Sequence, residues 1–373
     1  MTTGISWTQH TWNPFVGCTP VGPGCDNCYA ARDSAGRLRH NPLYAGLVDQ
    51  DGAFNGEIHL APDRLDWPLR KTKPSLIFVN SMSDLWHRDV PVEYLVEVLA
   101  VMVLADRHIY QTLTKRPKDQ LRRLTDPAFL DLIDTARLAR NNSRLFDQTG
   151  GALCDWPRHN WWLGVSIENR DYLWRARVLR ETPAALRWLS LEPLLARLDP
   201  IDLGAYLACG HCGHTRRDHL MENPRRLCSG CMCTGWTGID WVVVGGESGP
   251  NARPMDPGWV REIRDLCVEH EIPFHFKQWG RWIPYEPTAQ QPFWIGQDGV
   301  EEDAHIFPAD LTEGTPTHGW WAPPWTSAGI DDAGHPNDPV IFRSAYGLTI
   351  PKPPTLDDIA YQEYPPCPHL DAS

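Results

Sequence analysis

The stretch "TWNPFVGCTPVGPGCDNCYA", residues 11–30, places Cys18, Cys25 and Cys28 in one loop rich in glycine and proline, spaced C-x6-C-x2-C. Three thiols this close suit a disulfide remnant, three of the four ligands of a zinc ion, or three ligands of an iron–sulfur cluster with one iron left open. No fourth cysteine or histidine follows closely, His40 being the nearest downstream histidine. The loop's glycines allow close approach of backbone N–H groups to sulfur. A second group, "CGHC" at 209–212 and "CSGC" at 228–231, has two C-x2-C pairs separated by fifteen residues. Two such turns facing each other complete a tetrahedron, the spacing of a structural zinc site. We therefore expect Cys209, Cys212, Cys228 and Cys231 to hold Zn2+, with Cys233 or a nearby histidine able to replace one of them. That ion would fold an excursion too small for a core of its own. The sequence between the pairs, with "HTRRDH" and "NPRRL", could also touch nucleic acid.

The rest of the chain must position these groups. Its 373 residues suffice for one large domain or two smaller ones. No run of 18 apolar residues appears, so no membrane partner is expected. The N-terminus lacks a basic segment followed by an apolar one, so no signal peptide is expected and a cytoplasmic location is the default. Reducing conditions there move eleven cysteines away from disulfides and toward metal or chemistry. The net charge of −12 argues against broad electrostatic binding to duplex DNA, though a local basic groove remains compatible with it.

Short apolar runs alternate with amphipathic ones from residue 75 to 280. Strands are expected within 75–87, where a buried strand runs into a loop, and at 108–117, 161–169, 185–195, 239–249 and 273–280, with helices at 91–105, 118–137, 170–182 and 257–271. Alternation implies right-handed crossovers and a parallel sheet, and near-continuous apolar strands fit one buried on both faces. The strands end on polar residues: Asn80, Ser81 and Asp84; Thr114, Lys115 and Arg116; Ser166, Glu168 and Asn169; Ser190 and Glu192; Gly245 to Ser248; Lys277 and Gln278. For any single strand this is an ordinary transition to a loop. Six in succession favour one polar mouth at the carboxyl ends of a parallel barrel. Trp7, Trp12, Trp86, Trp161, Trp162, Trp188, Trp241 and Trp279 lie in or beside apolar runs and are expected in the core, as is Cys267.

The expected fold is α/β: a partial (β/α)6-type parallel barrel with an inserted zinc-ribbon-like knuckle and an irregular C-terminal extension. Its parts are residues 1–198, the first part of the barrel with the cysteine loop; 199–238, the insertion; 239–280, the last strands and helix; and 281–373, the extension. The tryptophan cluster "HGWWAPPW" (318–325) is expected to cover the open edge of the sheet, with base stacking as the alternative.

The three-cysteine loop resembles that of the radical SAM superfamily, though the first gap is longer than the superfamily's usual three residues. "WTQHTWNPFVGC", followed in order by "SMSDLWH", "LTKRP", "GVSIEN", "LSLEPLL", "WVVVGGESG" and "FHFKQWG", more closely resembles a phage and bacterial family of unassigned radical-SAM-like proteins, over about residues 5–280 apart from the insertion. The resemblance implies a [4Fe–4S] cluster on Cys18, Cys25 and Cys28, with S-adenosylmethionine chelating the fourth iron. One-electron reduction then yields a 5′-deoxyadenosyl radical that abstracts hydrogen from substrate. It implies Asn80, Ser81 and Asp84 around the methionine part and Ser166 and Glu168 near the ribose. Lys115, Glu192 and Glu247 are the expected catalytic residues, Lys115 and Arg116 suiting a carboxylate or phosphate. For Glu192 and Glu247, a buried salt bridge to a barrel arginine is the alternative. An electron donor such as a flavodoxin or ferredoxin is the implied partner, and a nucleic-acid base or nucleotide the substrate, by analogy with modification and repair of DNA. Two rival readings remain at this point: a non-catalytic metal-binding module that contacts nucleic acid, and a metal-dependent barrel enzyme using carboxylates and histidines.

Overall fold

The computed structural model describes residues 3–141, 156–215 and 236–285, with the short pieces 294–295, 301–302, 320–321, 341–344, 356 and 361–365. Seven strands form one parallel sheet: β1 His10–Trp12, β2 Leu76–Val79, β3 Ile109–Thr114, β4 Trp161–Ser166, β5 Leu186–Leu191, β6 Trp241–Gly245 and β7 Phe274–Gln278. Every strand pairs in parallel with the next one in the chain. Because the order never reverses, right-handed crossovers gather the helices on one face, and the twisted sheet curls into a half-barrel around the other. All six expected strands are present. The seventh, β1, contributes only three residues, too few to show a period of two.

Alternation sorts the strand residues. Leu76, Phe78, Ile109, Trp162, Leu186, Trp188, Trp241 and Val243 point inward and form one buried cluster with Trp7. Their neighbours Ile77, Val79, Tyr110, Leu163, Leu189 and Val244 face the helices in a larger one. The inner cluster is aromatic: the Trp7 ring lies 4.7 Å from Phe78 and 5.1 Å from Trp188, whose ring is 5.3 Å from Trp241. These rings fill the floor of the half-barrel. Gly164 of β4 makes room, since a Cβ there would collide with the Trp188 indole. The eight tryptophans expected inside are buried apart from Trp279, which is half-buried, and Cys267 is fully enclosed.

Helices α1 Tyr29–Ala35, α2 Val92–Leu104, α3 Pro117–Leu124, α4 Pro127–Asn141, α5 Trp174–Glu181, α6 Pro200–Leu207 and α7 Pro257–Glu269 supply most of the connections. The expected helix over 118–137 is two, broken at residues 125–126 ahead of a proline that suits a helix start. Helix α6 falls inside the segment expected as a cysteine-rich insertion. Asp199 caps it by accepting from the Ile201 N–H at 2.8 Å, and Leu203 and Leu207 are buried, so its apolar face belongs to the barrel. The cysteine-bearing excursion begins only at Ala208.

Strand β7 ends the sheet, and the far end of the chain covers it. The Phe276 N–H donates to the Tyr361 carbonyl at 2.8 Å, the Trp241 Nε1–H to the Glu363 carbonyl at 2.9 Å, and the Tyr364 hydroxyl to the Ser6 carbonyl at 2.7 Å. Of the stretch 318–325, expected as the cover, only residues 320–321 are among the described residues. Trp320–Trp321 pair with Ile341–Ser344, which pairs with Trp282–Tyr285 in a small antiparallel sheet. No described helix is long and apolar enough to cross a membrane.

Candidate functional site

The cysteine loop crosses the carboxyl ends of the strands. The two-residue strand Phe15–Val16, paired with His59–Leu60, leads into it through Gly17, whose φ of 99° and contact with the Glu57 carbonyl leave no room for a side chain. The loop then makes a single 3-10 turn, Pro23–Cys25, and Cys28 caps α1. Gly22 and Gly24 let it lie flat on the mouth: a Cβ at Gly22 would strike the Tyr172 hydroxyl, and one at Gly24 the Glu168 side chain.

Cys18, Cys25 and Cys28 line one cavity of about 130 Å³, together with Asn80, Ser81, Asp84, Lys115, Arg116 and Ser166. Residues from β2, β3, β4 and the loop thus meet where the strand endings suggested they would. Among the described residues, no three of His, Cys, Asp and Glu stand close enough to share one metal ion. The three sulfurs instead border a common space, where each could meet a different metal atom of a cluster. Burial pushes the Cys18 thiol up to about 12, with the Arg116 guanidinium pulling the other way. Burial also raises the Cys28 thiol, opposed by the N–H groups of Ala31 and Ala30 at the start of α1. Desolvated thiols give up their protons when a metal takes the sulfur. Three thiols around one cavity, two of them with N–H donors beside the sulfur, fit a thiolate-bound iron–sulfur group.

The polar strand ends form a chain of ion pairs. Thr114 Oγ1 donates to both Asp84 oxygens at 2.7 and 2.9 Å, and the Lys115 N–H adds a bond at 3.1 Å. Arg116 meets the same carboxylate at 3.0 Å, donates to the Thr19 carbonyl at 2.6 Å, and approaches Cys18 Sγ at 3.5 Å. Lys115 Nζ lies 3.1 Å from Glu168 Oε1, while Arg175 donates to Oε2 at 2.9 Å and stacks 4.2 Å from the Tyr172 ring centroid. Burial disfavours the Lys115 ammonium, but Glu168 and the Cys25 and Cys28 sulfurs together outweigh it, and Lys115 holds its proton more tightly than usual. Neither Lys115 nor Arg116 belongs to a surface turn, their side chains being 20% and 11% exposed.

Three expected cofactor contacts have structural partners of their own. Asn80, at φ 62°, spends its side-chain NH2 on Ser83 and the Phe15 carbonyl, Ser81 pairs with Asn13 at 3.1 Å, and Asp84 is fully engaged. Ser166 lines the cavity, and Glu168 stands behind Lys115. Glu192 and Glu247 lie outside the cavity wall. Glu192 is held by Lys277 at 2.6 and 2.7 Å and by Gln278 at 3.2 Å. Glu247 is gripped by Arg253 at 2.6 and 3.0 Å and accepts from Asn27 at 3.0 Å. Glu247 thus forms the arginine salt bridge weighed for it, while Glu192 pairs with a lysine instead.

Of the second cysteine group, Cys209 and Cys212 are not among the residues that line this mouth. Cys209 and Cys212 sit on a tight turn closed by the Gly213 N–H on the Cys209 carbonyl at 2.8 Å. Burial would raise the Cys209 thiol, but the N–H groups of His211 and Cys212 and the Thr237 N–H and hydroxyl bring it down to about 7. Cys228 and Cys231 lie outside the described residues. The sequence gives Arg175 and Arg253 no role in advance. Their signal was faint: an arginine a few residues beyond a strand-end glutamate.

The fold and the mouth define an α/β half-barrel protein with a three-thiol cavity at the carboxyl ends of its strands. The chain belongs to the family described as "Protein of unknown function (DUF5131)", whose model matches residues 2–319. No curated protein matches it. Among solved structures, a cysteine-to-serine variant of spore photoproduct lyase is similar at 10% identity, with a TM-score of 0.38 over 74% of this chain and 79% of that one. A tyrosine-to-phenylalanine variant of the same enzyme gives 10% identity and a TM-score of 0.36, covering 70% and 74%. A doubly substituted variant with bound AdoMet and dinucleoside spore photoproduct gives 12% and 0.30, covering 78% and 66%.

Proposed function

We propose that this protein is a radical SAM-type enzyme that holds a [4Fe–4S] cluster on Cys18, Cys25 and Cys28. The observation that carries the reading is the convergence of these three thiols on one cavity walled by Lys115, Arg116 and Ser166. The cluster, with S-adenosylmethionine, would supply one-electron cleavage of the sulfonium and hydrogen abstraction from substrate. The chain's own residues then have separate tasks. Lys115 presents a buried ammonium to the cavity, able to meet a carboxylate. Ser166 offers a hydroxyl, Asp84 anchors Arg116, and Glu168 fixes Lys115. The loop over the mouth keeps water from the reacting atoms. The substrate class we assign is a nucleic-acid base or nucleotide, and the reductant a flavodoxin or ferredoxin. Cys209 and Cys212, with Cys228 and Cys231, would hold a structural zinc apart from the chemistry, in a cytoplasmic protein.

The test is anaerobic purification with iron, sulfide and zinc analysis, and EPR of the reduced protein with and without S-adenosylmethionine. About four irons and one zinc per chain are expected, with a signal that shifts on adding S-adenosylmethionine. Cys25→Ala should lose the iron and keep the fold, and Cys209→Ala should lose the zinc and keep the iron. Zinc alone, at about two per chain, would sink the radical reading in favour of a metal-binding module.

A further inference from the structure

Arg116 is the one cation that touches a cysteine sulfur directly among the described contacts, and it is unusually well fixed. Its Nη1 reaches both Asp84 Oδ2 at 3.0 Å and Cys18 Sγ at 3.5 Å, and its Nη2 donates to the Thr19 carbonyl at 2.6 Å. Asp84 is in turn held by the Thr114 hydroxyl and the Lys115 N–H, so the arrangement is built from the end of β3 and the loop after β2. The Arg116 side chain is 11% exposed and that of Asp84 7%, so the pair acts in a weakly screened setting. The two neighbours of Cys18 on this side pull in opposite directions: a guanidinium at the sulfur and a carboxylate behind it.

We propose that Arg116 and Asp84 together set the reduction potential of the group bound through Cys18, with Arg116 the positioning residue at the sulfur. This rests on the iron–sulfur reading above. Reduction adds one negative charge to the cluster. A cation hydrogen-bonded to one of its thiolates favours the reduced form, and an anion one bond further away tempers that effect. The geometry gives each residue a sign. Removing the guanidinium lowers the potential. Neutralising Asp84 while Arg116 stays tied to Thr19 raises it, because the cation at Cys18 loses its counter-charge.

The test is the midpoint potential of the cluster, poised electrochemically and read by EPR, in the full chain and in Arg116→Gln and Asp84→Asn at matched iron content. The expected result is a downward shift for Arg116→Gln and an upward shift for Asp84→Asn. A general loosening of the site would move both the same way, so shifts of one sign, or none in either variant, overturn the proposal. Where Arg116→Gln fails to hold its full iron, Arg116→Lys carries the same expectation of a lowered potential, since an ammonium cannot span Thr19 and Cys18 at once. A wild-type chain that takes up no iron overturns the underlying reading and this one with it. A wild-type cluster whose potential is indifferent to all three substitutions overturns this one alone.

Discussion

Arg253 grips Glu247 from two sides of the same carboxylate, Nη2 on Oε1 at 2.6 Å and Nε on Oε2 at 3.0 Å, and with its other contacts reaches the cysteine loop at Asp26 and the Pro23 carbonyl. Asn27, between two of the cysteines, donates to the same Glu247. One pair therefore ties the end of β6 to the loop over the mouth.

Arg253→Ala should release that loop without unfolding the barrel. Charge-assisted hydrogen bonds contribute about 1.5–3 kcal/mol each when buried. Arg253 is partly exposed, so a loss of about 1–2 kcal/mol is expected in denaturant unfolding. The more telling readout is limited proteolysis, which should cut within residues 18–28 several-fold faster than in wild type. Unchanged cleavage there would show that the loop is held by other contacts.

Glu168 is fully buried between two cations, Lys115 and Arg175. Glu168→Gln keeps the shape and leaves both cations without their counter-charge. A loss of about 3–5 kcal/mol is expected in denaturant unfolding. Restoring charge balance with Lys115→Met in the Glu168→Gln background should recover part of that loss. A double variant no more stable than the single one would mean that Arg175 alone carries the effect.

Acid should weaken the fold through His275. Burial, aided by Lys277, lowers its pKa from 6.5 to about 4, with the Glu363 backbone pulling the other way. Its ring bonds the Ser6 hydroxyl at 3.0 Å and packs against Trp241 and Tyr364. Above about pH 6.5 the folded and unfolded chains both hold it neutral. Between there and about pH 4 only the unfolded chain takes the proton, so stability falls as pH falls, by about 3 kcal/mol at most. His87 and His108 are also lowered by burial and add to the slope. His275→Gln should flatten the stability profile between pH 6.5 and 4, and an unchanged slope would assign the acid sensitivity elsewhere.

The barrel was legible because its strands are apolar runs with turn-prone ends, and a period of two then places Lys115, Glu168 and Glu192 on one rim. The short strand at His10–Trp12 was not, since three mixed residues carry no pattern. Nor were the partners: Asn27 meets Glu247 from 220 positions away, and no spacing rule connects them. Arg116 illustrates the limit. Its residue type announced an anion, and a carboxylate is there, but it is the chain's own Asp84. Helix α6 hid because the cysteines after it drew its residues into the insertion, although Asp199 followed by proline is an ordinary helix start.

The seam between Phe274–Gln278 and Tyr361–Pro365 has a bearing on how the molecule is made. The Phe274 N–H bonds the Glu363 carboxylate across 89 positions. During synthesis the last strand of the half-barrel therefore leaves the ribosome with its hydrogen-bonding edge bare, and stays bare until the covering segment follows. The cysteine loop is translated long before that, at the opposite end of the sheet. A nascent chain can thus have its three thiols exposed while the barrel is still open on its far side, so any metal loading that needs the closed barrel must wait until residues 361–365 have followed.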